Sequence, residues 1–181
     1  MPIHLIAYHL RFTVEAETTI EMGEYKGSAL RGAWQSHLRT LYCAQRTDAS
    51  PDPVHQALCP VCYLLSREAF PGDDRRPYAF QPPRGAQRRF ASGDSFHFGI
   101  SIFGQAIQFL PYIVLAVQQM GQVQGLGYRI HPQGRRGTFR LQRIDEINPL
   151  TGAAGEIFRA KEPLVQMPRR PVTPDLVARC A

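Results

Sequence analysis

A glycine- and arginine-rich segment, residues 121–143, is the stretch of this sequence with the clearest chemistry. Its first 17 residues contain five glycines, which let a backbone turn tightly and approach a ligand closely. The segment also carries five arginines and no acidic residue. Guanidinium groups bind phosphate through two parallel hydrogen bonds, so the pattern favours contact with a nucleic-acid backbone over the alternative, a flexible and solubilising connection. The residues assigned to this contact are Gly125, Gly127, Arg129, Arg135, Arg136 and Arg140.

The place of this segment in the chain excludes two common phosphate-binding motifs. It follows a predicted helix and precedes a predicted strand, which is the reverse of the order in a dinucleotide-binding fold. It also lacks the Gly-Lys-Ser/Thr of a P-loop. Elsewhere the chain has no Gly-x-Ser-x-Gly or His-Glu-x-x-His motif, and no cluster of carboxylates suited to two-metal nuclease chemistry.

His37 is the candidate for acid–base chemistry. A neutral imidazole can remove the proton of a ribose 2′-hydroxyl, and an imidazolium can protonate the leaving 5′-oxygen. The residue falls within the apolar stripe of a helix predicted over Lys26–Cys43, so a histidine packed in the core is the alternative. Tyr25 precedes this helix, where a phenol can orient the base or offset charge on phosphorus. Arg31 and Arg39 lie on the helix and are assigned to RNA binding.

Three cysteines have the spacing of a metal site. Cys59 and Cys62 form a zinc-ligand pair, and Cys43, with or without His55, can add to it. Structural zinc at this place would close the surrounding loop. A second Cys-x-x-Cys pair is missing, so buried free thiols are the alternative.

The net charge of +6 and the pI near 9.5 favour a polyanionic partner. Nineteen of the 21 basic residues are arginine. Either phosphate recognition or a genome that prefers arginine codons explains this bias. The longest apolar run, Phe109–Val117, is about half the length that a bilayer requires, and the first residues show no signal-peptide pattern. We therefore expect a cytoplasmic protein without membrane contact.

Hydrophobic periodicity predicts the elements that must position these side chains. His9 and His97 fall on the polar faces of two alternating strands, as either a second acid–base pair or solvated surface. A second, apolar helix ends near Met120. The order strand, helix, strand, strand, helix, strand is that of a ferredoxin-like α+β sandwich, in which both helices cover one face of an antiparallel sheet. The strands are predicted over residues 3–14, 76–83, 95–103 and 138–147.

These elements predict one ferredoxin-like domain over residues 1–162. Residues 44–75 lose periodicity and contain four prolines, so we expect an inserted loop there, with at most a short helix over 61–69. Residues 163–181 are rich in proline and arginine and are predicted to form an extended tail.

Several short motifs occur along the chain in a specific combination. Residues 27–39 read GSALRGAWQSHLR and are followed by Cys43. The others are Cys59-x-x-Cys62, Arg76-Pro-Tyr, Phe96-x-Phe with Ile102-Phe-Gly, Leu110-Pro-Tyr, Gly125-Leu-Gly-Tyr-Arg and Gly137-x-Phe. This combination, over about residues 5–160, resembles a family of CRISPR-associated endoribonucleases of the RAMP superfamily that process precursor crRNA.

The resemblance implies metal-independent cleavage of repeat RNA, in which the 2′-hydroxyl attacks the adjacent phosphate and leaves a 2′,3′-cyclic phosphate. It implies His37 as the acid–base group, Tyr25 as a weaker match, and no cofactor for catalysis. The implied partners are CRISPR repeat RNA or crRNA and other CRISPR effector subunits. The family has two ferredoxin-like domains in tandem, of which this chain matches the first, and one cysteine more in its cluster.

Two alternatives to a processing enzyme stay open at this point. One is a non-catalytic RNA-binding RAMP subunit of a CRISPR effector complex. The resemblance implies that the enzymes hold RNA between two domains, and this chain matches only the first. The other is a zinc-stapled scaffold for a protein partner.

Overall fold

Nine strands and five α-helices are present in the computed structural model, which describes residues 6–43, 52–65, 76–162 and 164–180. The strands are β1 (Ala7–Ala16), β2 (Ile20–Glu21), β3 (Tyr78–Gln81), β4 (Arg89–Phe90), β5 (Ser95–Phe103), β6 (Leu126–His131), β7 (Arg135–Gly137), β8 (Phe139–Ile147) and β9 (Ala154–Arg159). The helices are α1 (Lys26–Tyr42), α2 (Pro53–Leu58), α3 (Pro60–Leu65), α4 (Leu110–Gln119) and α5 (Pro174–Cys180).

Five of these strands form one antiparallel sheet in the order β3-β5-β1-β8-β9. Along the chain, α1 connects β1 to β3 and α4 connects β5 to β8. The first four strands in the sheet, with these two helices, therefore have the ferredoxin-like arrangement. The predicted α+β class is confirmed, and β9 adds a fifth strand at one edge.

Alternation along β1 separates a core face of the sheet from a polar face. Leu10, Phe12 and Val14 are buried, and the residues between them are partly exposed. The indole N–H of Trp34 in α1 donates to the carbonyl of Ile113 in α4 at 3.3 Å, and both residues are fully buried. Both helices thus pack together over the core face, as the sequence predicts.

The glycine-rich segment, expected to be a loop, is instead a β-hairpin. β6 and β7 pair antiparallel, with Leu126 opposite Gly137 and His131 opposite Arg135. The turn between them has positive φ at Gln133 and Gly134. Glycines interrupt the apolar alternation in this segment, so its strands leave no clear pattern in the sequence.

The insertion and the tail also differ from expectation. The described part of the insertion, residues 52–65, contains α2 and α3, and residues 66–69 of the predicted helix lie outside the described residues. The tail is irregular up to Thr173 and then forms α5, which corrects its prediction as wholly extended. Pro174 begins this helix, and the Thr173 hydroxyl accepts from the Leu176 amide at 3.3 Å, so the local sequence caps a helix.

Glu146 fixes the tail against the sheet. Its side chain is nearly inaccessible and accepts from the amides of Arg169 and Arg170 at 2.6 and 2.8 Å, and it also binds the Arg170 guanidinium. Beyond it, Ala7 and Val172 exchange two backbone hydrogen bonds of 3.0 and 2.8 Å. The tail therefore crosses the end of β8 and pairs with the start of β1.

The helices in the described ranges are short. The longest, α1, has 17 residues and carries cationic side chains, and the apolar α4 has 10. None of them has the length and apolar character needed to cross a bilayer.

We expect Glu146→Ala to release the tail and destabilise the domain. Two amides and a guanidinium lose their buried acceptor, which should lower the free energy of unfolding by about 2–4 kcal/mol. Urea denaturation measures this loss, and hydrogen exchange at the Val172 amide reports release of the tail. Glu162→Ala removes an exposed carboxylate and serves as the control. Equal unfolding free energies for the two variants would contradict this role of Glu146.

Candidate nucleic-acid interface and metal centre

A groove of about 420 Å³ separates helix α1 from the β6–β7 hairpin. We call it the α1–hairpin groove, and none of its lining residues is acidic. They are Ser28, Ala29, Gly32, Ala33 and Ser36 on one side, and Gln124, Gly125, Leu126, Gly127, Arg129 and Arg136 on the other.

The α1 wall of the groove is flat because its exposed residues are small. At about 100° per residue, Ser28, Gly32 and Ser36 fall on one side of the helix, away from the buried Leu30 and Trp34. An extended chain can therefore lie close to the helix. The two serine hydroxyls there can donate hydrogen bonds to phosphate oxygens.

The hairpin wall depends on glycine at two positions. Gly125 and Gly127 have φ of 70° and 84°, a region that side chains disfavour. A Cβ at Gly127 would overlap the Glu21 carbonyl oxygen, and one at Gly125 would lie 2.6 Å from the Gly137 carbonyl oxygen. The glycines therefore let the hairpin sit directly against β2 and present backbone to the groove.

Two cations supply the charge of the groove. Arg129 and Arg136 line it, and neither forms an ion pair with a carboxylate in the described part of the chain. Arg135 is exposed on the same hairpin. Arg39 is exposed on α1, three residues after Ser36, so it lies beyond the groove on the same side of the helix. These positions suit an anionic chain lying along α1.

A second groove continues around the start of α1. Its volume is about 370 Å³, and it shares Ser28 with the α1–hairpin groove. Arg31 and Arg76 line it together with Tyr78 of β3. The two arginines of α1 that the sequence assigned to RNA binding therefore lie on different sides of the helix. Arg31 lies on the side of β3, and Arg39 lies on the side of the hairpin.

Arg140 lies apart from the other assigned residues. It is on β8, and its Nε is 3.1 Å from the Glu17 carboxylate. Among the six residues grouped by sequence, the structure brings Gly125, Gly127, Arg129 and Arg136 to the groove, with Arg135 nearby and Arg140 in an ion pair.

His37 is buried on the core side of α1. Among the described residues its Nε2 has no hydrogen-bond partner, and burial lowers the pKa of the imidazole, which favours the neutral ring. It lines neither of the two grooves. Tyr25 is 79% exposed before the first turn, and a rise of 1.5 Å per residue places it about 18 Å from His37 along the helix. The catalytic roles of both residues stay a prediction.

Lys26 anchors the start of α1. It is buried, and its Nζ donates to the carbonyls of Gly85 and Gln87 at 2.8 and 3.1 Å. The ammonium therefore ties the helix to the loop between β3 and β4, and it is occupied by these two contacts rather than presented to a groove.

Four side chains at the other end of α1 form a candidate metal centre. The ligand atoms of Cys43, His55, Cys59 and Cys62 all lie within 4.8 Å of one another. The Cys43 Sγ is 3.4 Å from the His55 Nε2 and 3.9 Å from the Cys62 Sγ. In a tetrahedral zinc site, ligand atoms lie roughly 3.5–3.8 Å apart, given Zn–S of about 2.3 Å and Zn–N of about 2.0 Å. The residues therefore fit zinc, with His55 as the fourth ligand.

The thiol of Cys62 stays protonated when no metal ion is bound. Burial, followed by the neighbouring Cys59 and Cys43, raises the pKa of Cys62 to about 12. A zinc ion would displace the Cys62 proton, because the metal binds thiolate. Its affinity should therefore fall as the pH falls.

Sequence reasoning missed the small residues that form the α1 wall. Ser28, Gly32 and Ser36 recur at intervals of four, opposite the apolar stripe, and this spacing is the signal that could have found them. Gln124, in the π-helical turn after α4, leaves no comparable signal.

Comparison with known proteins places these features in context. A family model described as "AF_1859_N: N-terminal domain" matches residues 5–170. Among solved structures, a chain of a crystal structure described as the Csm3-Csm4 subcomplex of the type III-A CRISPR-Cas interference complex aligns with a TM-score of 0.54 and 12% identity. The alignment covers 86% of this chain and 90% of that chain, and at this identity it establishes a shared fold. No curated protein matches.

We expect one zinc ion per chain at the Cys43–His55–Cys59–Cys62 centre, measured by elemental analysis of protein purified without chelator. Removing it should lower the free energy of unfolding by about 3 kcal/mol when free zinc is about 100 times its Kd. Cys62→Ser should lose the ion, whereas Cys180→Ser, which changes an exposed cysteine outside the centre, should keep it. Equal zinc content in the two variants would rule out the centre.

Proposed function

The chain belongs to the AF_1859_N N-terminal domain family, and from this premise we propose that it is a RAMP-type domain that binds the backbone of a single-stranded CRISPR RNA. The observation that carries the proposal is the α1–hairpin groove. It combines a helix wall of small residues, a glycine-dependent hairpin and two arginines that form no ion pair in the described part of the chain.

The groove has the properties that a ribose-phosphate chain requires. Arg129 and Arg136 can each bind a phosphate through two N–H groups. Ser28 and Ser36 can donate to further phosphate oxygens from the opposite wall. Proteins commonly bind single strands by such a positive groove that follows the backbone. Because these contacts address phosphate and ribose, they set the path of the RNA rather than its sequence.

The shared fold supports the identity of the ligand and partners. One solved structure with this fold is described as part of a CRISPR-Cas interference complex. For this chain, that likeness supports crRNA or repeat RNA as the ligand and other CRISPR subunits as partners. The net charge of +6 agrees with a polyanion as the main partner.

We expect the double substitution Arg129→Gln/Arg136→Gln to weaken binding of single-stranded repeat RNA. Loss of two phosphate contacts should reduce the slope of log K against log salt by about 1.4, and affinity at 0.1 M salt by about tenfold or more. Fluorescence anisotropy over a salt series measures both quantities.

The control for this experiment is Arg140→Gln/Arg179→Gln, which removes the same charge. Arg140 is paired with Glu17, and Arg179 lies on α5, so neither lines the groove. If both double variants lose affinity equally, the effect is one of net charge, and the groove is not the binding site.

A second candidate function is cleavage of the bound RNA. The observation that favours it is the buried Nε2 of His37, which has no hydrogen-bond partner in the described part of the chain. The neutral ring can take the 2′-hydroxyl proton while O2′ attacks phosphorus and the P–O5′ bond breaks. The imidazolium then returns that proton to the 5′-oxygen, and the products are a 2′,3′-cyclic phosphate and a 5′-hydroxyl. This role requires the RNA to reach the core side of α1.

We expect wild-type protein, if it is this enzyme, to cut repeat RNA in EDTA and His37→Ala to cut at least about 100-fold more slowly. The wild-type rate should persist to a lower pH than an ordinary histidine allows, because the pKa of His37 is lowered. Thermal unfolding and RNA affinity of the variant show whether the fold and the groove are intact. Absence of cutting by wild type, or equal cutting by the variant, removes cleavage and leaves the RNA-binding proposal standing.

A further inference from the structure

The polar face of the sheet carries a pocket that is separate from both grooves of α1. Its volume is about 290 Å³. We call it the open-face pocket, and no acidic residue lines it. Its lining residues are His9, Leu10, Arg11, Gln81, Pro82, Arg84, His97, Phe98, Gly99, Ile147 and Pro149.

One row of residues runs across four strands beneath this pocket, and its first three members line it. Gln81 of β3 pairs with Gly99 of β5, which pairs with Arg11 of β1, and Arg11 pairs with Asp145 of β8. Gly99 leaves bare backbone in the middle of the row. A Cβ at Gly99 would lie 2.9 Å from the side-chain oxygen of Gln81, so the Gln81 side chain forms the near edge of this bare stretch of backbone.

Arg11 is held in place by an ion pair and has further N–H donors that this ion pair does not use. Its guanidinium is 3.4 Å from the carboxylate of Asp145, whose side chain is 3% exposed. The same carboxylate binds Arg143 at 2.6 Å, so its charge is already matched. The Arg11 side chain is 43% exposed, and a guanidinium has five N–H groups. Most of them can therefore turn towards a ligand.

Two imidazole rings lie on either side of this cation along the sheet. The Nδ1 of His9 is 2.7 Å from the hydroxyl of the buried Ser101, which fixes the ring and leaves Nε2 for another partner. His97 pairs with Thr13, on the opposite side of the Arg11–Gly99 pair, and it is exposed. Arg84, exposed in the loop after β3, adds a second cation at the rim.

We propose that the open-face pocket binds one nucleotide of a single-stranded RNA, with the phosphate on Arg11 and Arg84 and the base against an imidazole ring. Two cations and no lining carboxylate select an anion, and flat histidine rings provide stacking surfaces for a base. The volume of about 290 Å³ lies just below the range of about 300–1,000 Å³ for ligand sites, which suits one small group. The choice of RNA rests on the proposed function, whereas the pocket itself does not involve the α1–hairpin groove.

The test is an NMR titration of the ¹⁵N-labelled protein with uridine 5′-monophosphate, with inorganic phosphate and uridine as separate probes. We expect the monophosphate to shift the amides of Arg11 and Gly99 and to bind more tightly than either probe alone. Equal affinity for inorganic phosphate would make this an anion site and overturn the nucleotide assignment. Absence of shifts at Arg11 and Gly99 would overturn the pocket.

Two variants in one loop make the test specific. Arg84→Gln should weaken the monophosphate affinity about fivefold, and Arg88→Gln, an exposed arginine outside the pocket, should not change it. An equal loss of monophosphate affinity in the two variants would show that the effect is one of net charge and would overturn the inference.

A final titration with hexauridylate distinguishes this inference from the proposed function. Chemical-shift changes of the Gly99 amide that persist in the groove variant, Arg129→Gln/Arg136→Gln, support a separate RNA contact. If wild-type α1 and the hairpin show no shifts while Gly99 does, the groove proposal fails and the open-face pocket stands. Loss of the Gly99 shifts in the groove variant would overturn a separate RNA contact here.

Discussion

The candidate RNA site depends on a close approach between two pieces of backbone. The hairpin lies so near the segment leading to α1 that a side chain at Gly127 would collide with the Glu21 carbonyl, and one at Gly137 with the Thr19 carbonyl. The His131 ring adds a hydrogen bond of 2.7 Å to the same Thr19 carbonyl. Since α1 begins five residues after Glu21, one short segment positions both walls of the groove.

Helix α1 is held at both ends, which keeps the groove in shape. At its start, Lys26 is tied to the carbonyls of a neighbouring loop. At its end, Cys43 follows the last turn and belongs to the candidate metal centre with His55 and two further cysteines. Zinc would therefore act on the candidate RNA site indirectly, by fixing the helix that forms one wall, and it need not take part in any reaction.

The sequence predicted the elements that have a clear hydrophobic periodicity and missed those that lack one. Alternation identified the long strands β1, β5 and β8, and the apolar stripe identified α1, because these patterns follow directly from burial on one side. The two-residue strands β2 and β4 are too short to show a pattern, and glycines conceal the hairpin. The three cysteines were found by their spacing, whereas the place of His55 depends on how the insertion folds.

The candidate site was predicted by residue type but not by position. Five of the six residues assigned from residues 121–143 lie at or beside the groove, because a hairpin keeps neighbours together. Arg140 is on the next strand and meets Glu17, a contact between residues distant in sequence that no local pattern reveals. His37 shows the same limit, because helical periodicity placed it on the apolar stripe without showing what surrounds its ring.

Cross-linking is the most direct test of where RNA lies on this protein. Repeat RNA containing 4-thiouridine would be irradiated with the full chain, and the modified peptides identified by mass spectrometry. Our account predicts cross-links within residues 28–36 of α1 and residues 124–136 of the hairpin. Cross-links confined to β9 and α5, with none in those two segments, would contradict it.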